Sequence, residues 1–197
     1  MKINTNLNPE QIIRLEKICD EEFSRNSDTK TFRFKKLEKG IYLPTFDLIN
    51  LYNVVKKRKF KDKKRVLDLG SGDGRVVFLF SLMGYSPTGV EYNEHLCKLS
   101  DNIIKPSLIS ERFKVKKAKF KQGDFLNEDF SDYDIIYFFP GGFNNYKELE
   151  DKLIKTMKDN SFFLVYGQKH PFEQLRPNSF WQRLAGYKEG KIMVYRK

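Results

Sequence analysis

Cysteine is nearly missing: the 197-residue chain has two, Cys19 and Cys97, and no Cys-x-x-Cys pair. That excludes a disulfide framework and a zinc site built on cysteine, and makes a reduced, cytoplasmic setting the default expectation. Histidine is as scarce, and His95 and His170 have no partner pattern, so each reads as structural rather than as a metal ligand. No apolar stretch reaches the ~18–20 residues that cross a bilayer. The opening Met1-Lys2-Ile3-Asn4-Thr5-Asn6 has no apolar core of a secretory signal. No internal repeat and no Gly/Ser- or Pro-rich linker divides the chain.

What is present is a core and a charge. Hydrophobic residues make up 40% and aromatics 15%, with 18 Phe, too apolar for a disordered chain. The length suits one full domain plus an N-terminal extension over residues 1–40, with residues 41–197 as the main domain. Net charge is +11. This admits a polyanionic partner such as RNA, or a solvated lysine-rich surface. Two basic runs, Lys56–Arg65 and Arg112–Lys121, immediately precede expected strands and so belong near the N-terminal edge of a sheet. A third group, Lys30, Arg33, Lys35, Lys36 and Lys39, alternates with Phe32 and Phe34.

Asn8-Pro9 marks a helix start, and Ile12, Ile13, Leu15, Ile18 and Cys19 give that helix an apolar face. Thr45 is the expected N-cap of a second helix running to about Lys57. Leu48, Leu51, Tyr52 and Val55 share one side of it. From residue 65 strands and helices alternate: Arg65–Leu69, Ser86–Glu91, Phe120–Gly123, Asp134–Phe139 and Ser161–Tyr166 read as strands. Helices are expected over Asp73–Met83, Glu94–Ile104 and Phe143–Met157. Leu184–Tyr187 and Lys191–Tyr195, split by Lys188-Glu189-Gly190, read as a terminal hairpin. The pattern predicts an α/β fold, a mostly parallel sheet covered on both faces. Ligands then bind beyond the C-terminal ends of the strands.

The first strand runs into Asp68-Leu69-Gly70-Ser71-Gly72-Asp73-Gly74-Arg75. Alternate glycines permit a tight turn and close ligand approach. The spacing fails the dinucleotide fingerprint, because the sixth position is Arg75 or Val77, and no Walker A loop is present. Asp68 would repel a pyrophosphate but suits a ligand with cationic groups, such as S-adenosylmethionine (AdoMet), with its ammonium and sulfonium. Glu91 ends the second strand 23 residues later, near the offset at which an acid meets ribose hydroxyls. Gly123-Asp124-Phe125 follows the third strand, where an Asp can accept from an adenine amino group and a Phe can pack on the ring.

Together these segments resemble the class I AdoMet-dependent methyltransferases over roughly residues 40–197. The resemblance implies a Rossmann-like three-layer fold with a seven-stranded sheet whose last strand is antiparallel. It places Asp68, Gly70 and Gly72 against the methionine part of AdoMet, Glu91 at the ribose and Asp124 at the adenine. Thr45, Ser71, Tyr92, Phe125 and Phe138 complete the expected cofactor set, with Tyr42. The segment Tyr42, Pro44, Thr45, followed by Asp68 to Arg75, is similar to the protein-lysine methyltransferases of archaea and mitochondria, in which it covers AdoMet. Phe139-Pro140-Gly141 lacks the Asp/Asn-Pro-Pro-Tyr/Phe of enzymes that methylate nucleobase or glutamine amines. The expected activity is methyl transfer to a protein lysine, with Tyr42, Phe139 and Pro140 on the acceptor side and no metal. An RNA methyltransferase and a non-catalytic AdoMet-binding module are the alternatives.

Overall fold

A helix apolar on every side needs cover on every side, and one such helix organises this protein. The computed structural model describes residues 6–26, 36–37, 40–41, 44–45, 47–58, 60, 63–167, 172 and 192–197. Helix α3, Arg75–Leu82, has all eight residues buried. One side meets the sheet. The other meets α1 (Pro9–Asn26), which buries Ile12, Leu15, Ile18, Cys19 and Phe23 in the same cluster. Helix α2, Leu48–Arg58, joins them through Leu48, Leu51 and Val55.

Strands β1 (Lys36–Leu37) and β2 (Gly40–Ile41) form a two-residue antiparallel ladder before α2. The main sheet has β3 (Arg65–Leu69), β4 (Ser86–Glu91), β5 (Lys119–Gln122), β6 (Ile135–Phe138), β7 (Phe162–Tyr166) and β8 (Ile192–Arg196). Their order is β5-β4-β3-β6-β7-β8. All neighbours are parallel except β7 and β8. The chain fills one half of the sheet, then returns past β3 to start the other with β6. That reversal of strand order opens a crevice at the C-terminal ends of the central strands.

Side chains alternate across these strands. Val66 and Tyr137 face α1–α3, while Leu67, Leu69 and Phe138 face the second cluster under α6, Tyr146–Thr156. Asp68 pairs in register with Tyr137.

Six strands are present among the described residues where seven were expected. The final strand is antiparallel as expected, and the segment 184–187 read as its hairpin partner lies outside the described residues. Thr45 is not the cap of α2. Asp47, at φ +67°, accepts from the Asn50 amide at 3.0 Å, and Glu16 of α1 accepts from the Leu48 amide at 2.8 Å. The helix expected to end at Ile104 continues to Ser110. Helix α4, Glu94–Leu99, passes through a π turn at Ser100–Ile104 into α5, Lys105–Ser110. Pro106 lacks an amide and crowds the preceding turn, and the wider π turn accommodates it. No helix among the described residues is long and apolar enough to cross a membrane.

Candidate active site

The glycine loop is held by backbone geometry first. Gly70, Gly72 and Gly74 have φ of +75°, +54° and +80°, a region costly to any other residue. The Gly70 and Ser71 amides donate to the Val90 carbonyl at 2.9 and 3.1 Å, which pins the loop to the end of β4. A Cβ at Gly70 would meet nothing within 4 Å, so this glycine faces open space.

Glu91 closes the loop from the neighbouring strand. One carboxylate oxygen accepts from the Gly72 amide and the other from the Asn93 amide, each at 2.8 Å. Each oxygen keeps a second lone pair for a ligand. Burial raises the Glu91 pKa against the pull of these amides.

Asp68 is 3% exposed, and no hydrogen-bond donor among the described residues reaches its carboxylate. Burial, then the charges of Glu91 and Asp73, push its carboxyl well above the ordinary carboxylate range. A lone carboxylate at the floor of a crevice is a strong attractor for a cation. The Ser71 hydroxyl is also buried without a partner among the described residues, and lies against Gly89 of β4.

Asp73 and Arg75 form a buried pair, with Arg75 Nη2 2.5 Å from Asp73 Oδ2 and Nε 3.0 Å from both oxygens. Arg75 also reaches Asp20 of α1 at 2.8 Å. The guanidinium therefore ties α1 to the glycine loop and is itself spoken for.

These groups line one cavity of about 510 Å³. Of the residues expected from the sequence, Thr45, Asp68, Gly70, Ser71 and Gly72 line it. So do Glu91, Tyr92, Asp124, Phe125 and Phe138, and Phe139 and Pro140 on the expected acceptor side. Tyr42 lies outside the described residues. Asp124 starts a short 3₁₀ turn, Phe125–Asn127, and accepts from the Leu126 amide at 3.0 Å. Phe125, Phe138 and Phe143 form an aromatic wall, with ring centroids 5.4–6.0 Å apart. Phe139 packs edge-on against Tyr166 at 5.3 Å.

A family model described as Histone methylation protein DOT1 matches residues 44–137, the segment from just before α2 to β6. An RNA methyltransferase from Salinibacter ruber, solved with S-adenosyl-L-homocysteine, is similar to the chain. It has a TM-score of 0.60 and 20% identity, over 78% of this chain and 92% of that one. A precorrin-6y C5,15-methyltransferase from Geobacter metallireducens gives 0.53 and 14%, over 84% and 97% of the two chains. A SAM-dependent methyltransferase from Methanosarcina mazei gives 0.52 and 16%, over 79% and 99%. The fold is that of the class I AdoMet-dependent methyltransferases. No curated protein matches its sequence.

The cavity also contains residues outside the set expected from the sequence. Pro44 and Tyr137 line it, and the Tyr137 and Thr45 hydroxyls lie 3.3 Å apart, within hydrogen-bond distance. Burial holds the Tyr137 phenol well above its ordinary pKa, so it stays protonated. Asn144, Asn145 and Glu148 line it as well. The Asn145 amide donates to Glu148 at the start of α6. The spacing Asn-x-x-Glu before an apolar run is a helix-start signature that marks both residues in the sequence. Among the described residues no group of His, Cys, Asp or Glu is placed to hold a metal ion.

Proposed function

We propose that this methyltransferase acts on the side-chain amine of lysine in a protein. The observation that carries the reading is the sign of the cavity. Among the described residues five acidic side chains line it, Asp68, Asp73, Glu91, Asp124 and Glu148, against one cationic side chain, Arg75, already bound by Asp73 and Asp20. The whole chain meanwhile carries +11. An acidic cavity in a basic protein favours cationic ligands and opposes phosphates. A nucleobase acceptor would bring its flanking phosphates to this rim.

The residues present fit AdoMet. Asp68 is a buried acid that meets no donor among the described residues, as the ammonium of the methionine part requires. Gly70 leaves open space beside it, Glu91 has lone pairs for ribose hydroxyls, and Asp124 with Phe125 suits the adenine. When bound, AdoMet supplies a methyl group on a sulfonium sulfur, open to in-line displacement. The acceptor nitrogen must then present a lone pair, so the lysine must be neutral at the moment of transfer. Phe125, Phe138 and Phe143 form an apolar wall that favours the neutral amine, and Phe139 lines the cavity from the other face of the sheet. Pro140, Gly141 and Gly142 shape the acceptor side through a tight turn, in which the Phe143 amide donates to the Pro140 carbonyl at 2.5 Å. Rate enhancement then rests on alignment of amine and methyl group. The matching family model, named for histone methylation, supports a protein acceptor, as does the resemblance of Pro44, Thr45 and the Asp68–Arg75 segment to the archaeal and mitochondrial lysine enzymes.

The test uses methyl-tritiated AdoMet, purified protein and an extract of the source organism, with the products treated with protease or ribonuclease before precipitation. Label lost to protease alone supports the reading. Label lost to ribonuclease alone overturns it in favour of RNA. No macromolecular label overturns both.

A further inference from the structure

The positive charge of this protein is concentrated in two segments. Lys56–Arg65 and Arg112–Lys121 hold 14 of the 37 basic residues and one of the 26 acidic ones, a net +13 in 20 residues. The other 177 residues carry a net −2.

The fold brings the two segments together. The first leads into β3 and the second into β5, on either side of β4. The Ser86 amide at the start of β4 donates to the Lys64 carbonyl at 2.7 Å, and Lys117 Nζ donates to the Gly84 carbonyl at 3.0 Å. Both segments thus flank one turn, Gly84–Ser86. With strands about 4.8 Å apart, the starts of β3 and β5 lie roughly 12 Å from each other across this edge. Lys64, Lys114, Lys116 and Lys119 are exposed there, and among the described residues no ion pair engages them. The nearby acids are taken up at the margins: Asp132 holds Arg65, Asp134 holds Lys158, and Glu128 holds Lys121. This face is at the N-terminal ends of the strands, opposite the acidic cavity.

We propose that this edge docks the phosphodiester backbone of a nucleic-acid duplex, without reading sequence, while the cavity faces away. Unpaired like charges gathered on one face repel one another, and a polyanion relieves that repulsion. The apolar residues of the two segments point inward: Phe60, Val115 and Ala118 are buried, and Phe113 and Phe120 are half-buried. Among the described residues of this edge no fully exposed aromatic ring is offered for stacking on a single strand, and no fully exposed apolar side chain for insertion into a membrane. Contact with phosphates alone remains. The inference stands independently of the acceptor, because binding is read without AdoMet.

Fluorescence anisotropy tests it with labelled 20-base-pair duplexes, one DNA, one RNA of the same sequence, and one DNA of scrambled sequence. About five phosphate contacts predict a slope near 4–5 for log Kd against log salt, a loss of roughly 500-fold between 50 and 200 mM salt. The two DNA sequences should bind alike, and the DNA and RNA arms show which duplex is preferred. The variant with Lys64, Lys114, Lys116 and Lys119 all changed to Ser should keep its melting temperature and AdoMet affinity and fall to a slope near 1. An unchanged slope in that variant overturns the proposal. So does no binding at 50 mM salt, or binding only to phosphatidylserine vesicles run in parallel.

Discussion

Replacing Asp68 by asparagine removes one negative charge and almost no volume, and it should move stability and ligand affinity in opposite directions. In the free protein the carboxylate is buried, faces Glu91 and Asp73, and meets no donor among the described residues. Its pKa is therefore raised from 3.8. The folded state holds a proton that the unfolded state has already lost, so stability falls as pH rises from the ordinary carboxylate pKa through the raised one. Asp68→Asn lacks that fall. At pH 8 the variant should be more stable by about 1 kcal/mol, which is roughly 2–4 °C in Tm for a chain of this size. Well below pH 3.8, where Asp68 is protonated in both states, the gain should vanish. The ligand reverses the sign. Removing one partner of a buried charge pair costs about 3–5 kcal/mol, so AdoMet Kd should rise by about two to four decades. In the wild type, AdoMet binding should release a proton and tighten as pH rises through the raised Asp68 pKa. Thermal melts across pH and isothermal titration calorimetry in two buffers measure both effects. Wild-type affinity in Asp68→Asn, or a lower Tm at pH 8, would refute the reasoning.

Glu91→Ala leaves the Gly72 and Asn93 amides without their acceptor and should weaken AdoMet binding by about 10–100-fold in the same titration. Gly89→Ala places a Cβ 2.5–2.8 Å from Ser71 and Val77 atoms and should cost about 1–3 kcal/mol in urea unfolding. Gly70→Ala meets no neighbour, so it should cost only its backbone strain of about 1–2 kcal/mol while reducing AdoMet affinity. Arg75→Met strands the buried Asp73 carboxylate and should destabilise by about 3–5 kcal/mol. Adding Asp73→Asn should restore much of that loss in the same unfolding assay.

The parts that local chemistry dictates were legible before the structure. Arg65–Leu69 and Ser86–Glu91 have the limits expected, the first stopping at Gly70 and the second just before the Asn93 cap. The glycine loop and the acids at the ends of β3 and β4 stand out in the sequence by their spacing and by the family resemblance. Long-range competition set the rest. Thr45 carries the right side chain for a cap, yet its hydroxyl lies against Tyr137, 92 residues away, while Asp47 takes the cap in a left-handed turn. Glu16 of α1 accepts the first amide of α2, 32 residues on. Arg75 was read as part of a loop motif. Its partner Asp20 lies 55 residues upstream, a pairing no sequence period announces. The helix expected to end at Ile104 instead runs on, because one extra residue in the turn before Pro106 lets it pass.

The central claim is that an acidic, aromatic-walled cavity in a basic protein takes a lysine amine. Its most direct test is total hydrolysis of the tritium-labelled protein, followed by separation of the methylated amino acids. The account predicts label in Nε-methyllysines. Label in methylated nucleosides, in methylarginine, or released as methanol from carboxyl esters would contradict it.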